Sequence, residues 1–224
     1  MDSPLINLRS YTILEMALFA SGCYIWVVVY ILYIRHIMRH RMIGMPVFAA
    51  ASNIAWELVW GFVPPSSDMG LLVVWGYRIW FLLDLYIFAG VVRLGATQVS
   101  IEALRPVYRP VIILVAVAWV VIYYFFKTEG FDTEIGAMSA YVAQSFISVL
   151  YLLLLLRHHR LVWASYPIAW LKMLGSGLIT VFMFIHYPAN HYLQSVAGFC
   201  LVIDCIYIVI YQQRRRLEVN ARAR

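Results

Sequence analysis

Long apolar stretches follow one another along almost the whole chain. A helix needs about 20 predominantly apolar residues to cross a membrane, and seven stretches come close to that length. Because lipid offers no hydrogen-bond partner to a peptide group, each stretch should be helical throughout. The predicted spans cover residues 11–34, 44–63, 71–92, 110–127, 135–156, 166–186 and 192–212.

Arginines are concentrated in every second connection between these spans. The connections 35–43, 93–109 and 157–165, together with the tail after residue 212, carry most of them, whereas the opposite side holds only Arg9 and Lys127. Cytoplasmic connections of membrane proteins are enriched in Lys and Arg. The pattern therefore predicts a cytoplasmic C-terminus and an N-terminus in a lumen or outside the cell.

Composition supports a membrane protein. Of the 224 residues, 64% are hydrophobic and 12% are charged, whereas soluble domains carry about 25% charged residues. The mean hydropathy is +0.81. We therefore predict an all-α membrane protein in which residues 1–224 form a single seven-helix transmembrane bundle. It is a multi-pass protein of the endoplasmic reticulum if fungal, or of the inner membrane if bacterial. The net charge of +6 follows from the arginine asymmetry, so we expect the lipid bilayer and no nucleic acid as partner.

Ionisable residues inside the spans are few. Such residues are costly in a membrane, so they usually face the bundle interior and mark function. Lys172 lies near the cytoplasmic end of its span and is expected to extend its ammonium to the surface. Arg78 lies at a depth similar to that of Glu57, so an ion pair between them is one alternative; a pair of Arg78 with Glu15 is another.

Asp84 and Asp204 lie deeper, near the middle of their spans, without an obvious basic partner. Burial of an unpaired carboxyl favours its neutral form, which can donate a proton. The alternative for each aspartate is a hydrogen bond that only joins two helices.

Helical spacing places these acids beside aromatic and polar side chains. Such stripes often reflect packing alone, but their combination with buried carboxyls indicates a site. The fourth span has no polar stripe and is expected at the periphery. The stripes on the other spans include Asn53 with Glu57 and Trp60, Trp80 with Asp84, Gln144 with Ser148, Lys172 with Ser176 and Thr180, and Asp204 with Tyr207.

The sequence lacks the motifs of several metal-dependent and cofactor-dependent reactions. There is no D-D-x-x-D pattern for a magnesium-bound diphosphate, no H-E-x-x-H or Cys/His cluster for another metal, and no lysine in the seventh span for a retinal Schiff base. The sequence therefore gives no signal for a metal site.

Three segments carry a resemblance to a known family. They are NIAWELVW (53–60), RIWFLLDLYIF (78–88) and LVIDCIYIVIY (201–211). These segments resemble the integral-membrane terpene cyclases of fungal meroterpenoid and indole-diterpene biosynthesis, which have bacterial relatives. The resemblance implies a cyclisation that begins with protonation of the terminal epoxide of a prenylated aromatic or polyketide compound. It implies Glu57 and Asp204 as the required acids, and a reaction without a metal or organic cofactor. It also implies neighbouring pathway enzymes, an epoxidase and a prenyltransferase, as candidate partners.

The residues themselves agree with that chemistry. A carboxylic acid in an apolar cavity can protonate an epoxide oxygen, and aromatic faces stabilise the resulting cation by about 2 kcal/mol when desolvated. In this interpretation Glu57 is the neutral acid, and Asp204 either keeps it protonated or joins the initial protonation. The candidate substrate-binding residues are Asn53, Trp56, Trp60, Arg78, Trp80, Asp84, Tyr86, Gln144 and Tyr207.

Two other function classes stay open. Arg35-His36 and Arg157-His158 occupy equivalent places after the first and fifth spans, as do Asp84 and Asp204 in the third and seventh. This echo suits a small transporter or receptor built as a three-plus-one-plus-three repeat. A structural scaffold for neighbouring pathway enzymes is the third alternative.

Overall fold

Seven α-helices make up the protein in a computed structural model that describes residues 4–63, 67–158, 161 and 164–222. No strand occurs in these residues, and two short 3-10 turns lie between the third and fourth helices. The all-α prediction is confirmed. The helices are α1 (Ile13–His40), α2 (Val47–Phe62), α3 (Leu71–Leu94), α4 (Arg105–Thr128), α5 (Ala137–Arg157), α6 (Tyr166–His186) and α7 (His191–Arg222).

Six of these helices are long and apolar enough to cross a membrane, and α2 is shorter. Its 16 residues span about 24 Å at 1.5 Å per residue, against a hydrocarbon core of about 30 Å. Helix α2 is therefore about 6 Å shorter than that thickness. Most residues of α2, Glu57 among them, are buried in the bundle.

Several helices extend beyond the predicted apolar spans. Helix α4 begins at Arg105 because Pro106 occupies its first turn, where a missing N–H costs nothing, and Pro110 is tolerated further along. Helix α1 continues to His40 and ends where Arg41 adopts a left-handed conformation with φ of 51°. Helix α7 continues to Arg222 through residues that favour helices. These helices are longer than the apolar spans because hydropathy indicates only the part of a helix that contacts lipid, whereas the helix itself continues until a residue interrupts its backbone hydrogen bonds.

The connections group at two ends of the bundle. Leu71 N donates to Pro4 O, Tyr77 Oη donates to Ile135 O, and His186 bonds Glu15, so the N-terminal segment and the connections 67–70, 129–136 and 187–190 share one end. We call it the N-terminal end. The C-terminal part of α7 lies at the other end, where Arg214 donates to Leu155 O. Which end faces the cytoplasm stays a prediction from the arginines.

Helices α1 and α6 pack closely along two glycines. A Cβ on Gly22 would lie 2.5 Å from Ile179 Cγ1 and 2.8 Å from Gly175 O. Small residues allow two membrane helices to approach at such a contact, and this one brings α6 against α1 beside the interior of the bundle. Helix α4 lies at the periphery, as predicted, because only Tyr123 is buried among its side chains.

Candidate active site

Glu57 is the central polar residue of the bundle interior, with 1% of its surface exposed. Its Oε1 accepts hydrogen bonds from Tyr30 Oη at 2.6 Å and from Asn53 Nδ2 at 3.1 Å. Asn53 lies one helical turn before Glu57 on α2, so both side chains leave the same helix face. Glu57 Oε2 has no hydrogen-bond partner among the described residues.

Arg78 does not pair with Glu57. Its Nε donates to Gly61 O at 3.0 Å, and its guanidinium lies 4.7 Å from the ring centroid of Trp75. Glu15 does not hold Arg78 either, because Glu15 closes the N-terminal cap of α1 with Thr12 and bonds His186 Nδ1 at 3.0 Å. Both ion pairs considered from the sequence are wrong. Within the described ranges Glu57 forms no salt bridge, so its environment disfavours the charged form.

Asp84 joins the same network through Asn53. Its Oδ2 lies 3.4 Å from Asn53 Nδ2, and its Oδ1 has no hydrogen-bond partner in the described part of the chain. Asn53 thus bridges two buried carboxyls. Neither forms an ion pair with a described residue, so mutual repulsion and burial disfavour the simultaneous ionisation of both. The sequence placed Asn53 and Glu57 on one face but did not connect Asp84 or Tyr30 to them.

A cavity of about 90 Å³ lies beside Glu57 and is bounded by α1, α2, α3, α5 and α6. Asn53, Trp56, Glu57, Trp80 and Gln144, all predicted from the sequence, lie in its wall. Aromatic side chains form much of the remainder. Those the prediction missed are Phe19, Trp26, Tyr30, Tyr77 and Tyr141.

The residues of the 129–136 connection and the start of α5 close the cavity at the N-terminal end. Ile135 and Ala137 line the cavity there. Asp132 orders this segment, since its carboxylate accepts from the backbone N–H groups of Thr133, Met138 and Ser139. Burial raises the pKa of Asp132, and these hydrogen bonds act in the opposite direction.

The same segment holds the Trp56 indole in place. Trp56 Nε1 donates to Ser139 Oγ at 2.8 Å, and Gly136, at φ of 75°, lies so close that a Cβ would meet Trp56 at 2.9 Å and Trp60 at 2.5 Å. Only glycine combines this conformation with this approach. The Trp56 ring is therefore fixed in the cavity wall.

Besides Asp84 and Asp204, four other predicted site residues lie away from the cavity wall. Trp60 is buried against Trp56 but faces Lys127, whose Nζ is 4.1 Å from its ring centroid. Arg78 lies at the edge of α2, as described above. Tyr86 is 48% exposed, because two residues of helix turn it away from the face of Asp84. Tyr207 lines a separate small chamber with Lys172.

Asp204 is paired with Lys172, and the expectation that it lacks a basic partner is wrong. Lys172 Nζ lies 2.5 Å from Asp204 Oδ1, with the two side chains 2% and 1% exposed. Lys172 does not extend to the surface. It lies 14 residues before the end of α6, and Asp204 lies 13 residues after the start of α7. Both residues thus lie about 20 Å from the N-terminal end. Their equal depth becomes apparent only when the ends of α6 and α7 are known.

Asp204 lies outside the contacts of Glu57. The partners of Glu57 in the described chain are Tyr30 and Asn53, and no residue of α7 lines the Glu57 cavity. Asp84 and Asp204, which suggested an internal repeat, therefore have different surroundings. Among the described residues, no group of three His, Cys, Asp or Glu side chains is arranged to hold a metal ion.

The chain is similar to known membrane cyclases over almost its whole length. The family model of the Pyr4-like transmembrane terpene cyclases matches residues 3–217. The Pyr4-family terpene cyclase mfmH of Annulohypoxylon moriforme is 28% identical over 171 residues, which cover 74% of this chain and 69% of that protein. The terpene cyclase macJ of Penicillium terrestre is 26% identical over 87% of this chain and 79% of its own length.

A third relative is similar over a shorter segment. The terpene cyclase ascF of Acremonium egyptiacum is 33% identical over 82 residues, which cover 37% of this chain and 29% of ascF. No solved structure matches the chain. The family match covers the helices that carry Glu57, Asp84, Lys172 and Asp204. The seven-helix architecture and the similarity agree: the chain belongs to the Pyr4-like transmembrane terpene cyclases.

Proposed function

We propose that this membrane terpene cyclase uses Glu57 as the acid that protonates the terminal epoxide of a prenylated, meroterpenoid-type substrate. One observation carries the proposal: Glu57 lines an aromatic cavity with one oxygen bonded twice and the other unpartnered in the described chain. A neutral carboxyl fits this pattern. Its carbonyl oxygen accepts two hydrogen bonds, and its hydroxyl is left to donate.

The reaction follows from that arrangement. The proton moves from Glu57 Oε2 to the epoxide oxygen, and the C–O bond at the more substituted carbon breaks. The neighbouring alkene supplies its π electrons to the cationic carbon, which forms a ring bond and moves the cation along the chain. Loss of a proton from carbon ends the sequence, so the product is an isomer of the substrate. Tyr30 and Asn53 stabilise the Glu57 carboxylate as it forms, because their hydrogen bonds are already in place.

The cavity wall suits a cationic intermediate. Aromatic faces attract cations, and an apolar wall excludes the water that would trap the cation as an alcohol. The volume of about 90 Å³ is smaller than the roughly 150 Å³ cavity that binds benzene in an engineered core. Binding of a prenylated substrate therefore requires the wall to move apart.

The two aspartates have separate places in this proposal. Asn53 orients Glu57 through a hydrogen bond, and Asp84 on α3 accepts from the same Asn53 amide. Asp204 is a required residue whose ion pair with Lys172 holds α7 against α6, the helix that contributes Ser176, Ile179 and Met183 to the cavity. A substrate from the bilayer, and an epoxidase and a prenyltransferase that prepare it, complete the proposed setting.

Conversion of an epoxide by a Glu57 variant tests the proposal. Membranes that contain the wild-type protein, supplied with a terminally epoxidised farnesyl phenol, should form cyclic isomers of unchanged mass. The Glu57→Gln variant keeps the size and the hydrogen bonds of the side chain but has no acidic proton. We expect its rate to fall by roughly 10²–10⁴, measured by product chromatography and mass spectrometry at equal amounts of folded protein. Turnover at the wild-type rate would exclude Glu57 as the acid.

A further inference from the structure

Ser176 differs from the other buried serines and threonines of the described residues. Its side chain lines the Glu57 cavity, 5% of its surface is exposed, and its Oγ has no hydrogen-bond partner in the described part of the protein. Its neighbours are paired: Thr180 Oγ1 bonds Tyr141 Oη at 2.9 Å, and Ser148 Oγ accepts from Gln144 Nε2 at 3.3 Å. Among the buried serines and threonines in the described part of the chain, the hydroxyl without a partner is thus the one that lines the cavity.

A buried hydroxyl without a partner costs free energy, and most such groups in proteins are satisfied. Replacement of Ser176 by an apolar residue would remove that cost. If a ligand in the cavity hydrogen-bonds this hydroxyl, the free-energy cost is removed when the ligand binds, and the serine contributes to ligand binding. Ser176 can donate to a carbonyl or accept from a hydroxyl, so its chemistry selects an oxygen-bearing group.

Gln144 adds a second polar group to this part of the wall. It lies on α5 and lines the same cavity, and its bond to Ser148 fixes the plane of its amide. Ser176 and Gln144 belong to α6 and α5, whereas Glu57 is on α2 and is bonded to α1. The cavity wall thus carries polar side chains on α5 and α6 in addition to those around Glu57 on α1 and α2.

We propose that Ser176, together with Gln144, forms a subsite that hydrogen-bonds a second oxygen of the substrate, a hydroxyl or carbonyl on its head group. This inference rests on the proposed function, in which Glu57 takes the epoxide oxygen. A prenyl chain has no directional contacts of its own. Attachment at two points holds the chain in one orientation, which favours the alignment of the epoxide carbon with the next alkene.

A pair of substrates tests the subsite. One is the terminally epoxidised farnesyl phenol, and the other is the same molecule with hydrogen in place of the phenolic hydroxyl. For Ser176→Ala we expect kcat/KM to fall about fivefold for the phenol, the value of one hydrogen bond, mainly through KM. The same variant should convert the deoxy analogue as the wild type does.

Thr180→Val is the matched control. Thr180 is buried on the same helix, one turn further along, does not line the cavity, and has its hydroxyl paired with Tyr141 Oη. The Thr180→Val variant should change kcat/KM for both substrates by the same factor. If Ser176→Ala does not fold, Ser176→Cys keeps a similar volume with a weaker donor and should show the same selective loss.

The possible results separate the two proposals. An equal loss for both substrates, or no loss for either, would overturn the subsite while leaving the cyclase reaction in place. Failure of the wild type to cyclise either epoxide would instead overturn the proposed function itself. A selective loss for the phenol supports the subsite.

Discussion

The buried ion pair between Lys172 and Asp204 gives the sharpest test of how this bundle uses its acids. The two groups lie 2.5 Å apart and are almost completely buried. Removal of one partner leaves the other charge buried without compensation, which costs about 3–5 kcal/mol. Replacement of both partners by apolar residues of similar volume is often neutral or stabilising. We therefore predict that Lys172→Met and Asp204→Leu each destabilise the protein, and that the double variant recovers most of the loss.

The assay is a double-mutant cycle on the purified protein in detergent. The free energy of unfolding is measured for the four proteins by denaturant titration, and cyclase activity is measured on the same preparations. The rings of Tyr151 and Tyr207 lie 5.6 and 6.0 Å from Lys172 Nζ, so the methionine in Lys172→Met would remain packed against aromatic surfaces.

Activity of the double variant separates two roles for Asp204. If Asp204 only holds α7 against α6, the double variant regains both stability and activity. If Asp204 takes part in proton transfer, the double variant regains stability and stays inactive. Destabilisation below about 1 kcal/mol in both single variants, as for an exposed pair, would refute the reasoning that the pair is buried and coupled.

Two further predictions concern the cavity. Tyr30→Phe keeps the ring but removes the hydroxyl that donates to Glu57 Oε1 at 2.6 Å. Because a hydrogen bond to a charged group contributes about 1.5–3 kcal/mol, kcat should fall roughly ten- to a hundredfold in a turnover assay, with little change in KM. An unchanged kcat would remove Tyr30 from the mechanism. Ala140→Phe places a ring at a half-buried position of the cavity wall. The ring should exclude the substrate and abolish turnover, while a thermal unfolding transition shows that the variant is folded. Retained turnover would place the substrate elsewhere.

Much of the architecture followed from the sequence because a membrane leaves the backbone few choices. An apolar stretch in lipid must satisfy its peptide groups internally, so seven stretches predicted seven helices. The plain fourth span was correctly expected at the periphery, since it carries no polar stripe. The period of 3.6 residues also placed Asn53 on the face of Glu57, where the structure shows their hydrogen bond.

What the tertiary structure alone decided is the partner of each buried charge. Helical periodicity states which residues of one helix share a face, but it does not state which faces of different helices meet. Arg78 and Glu57 have similar depths in their spans yet do not pair, whereas Lys172 and Asp204 form an ion pair that their positions in the sequence do not indicate. Tyr30 and Asp84 reach the Glu57 network from α1 and α3. Such contacts depend on how the helices pack around one another, and that packing is determined by the whole bundle at once.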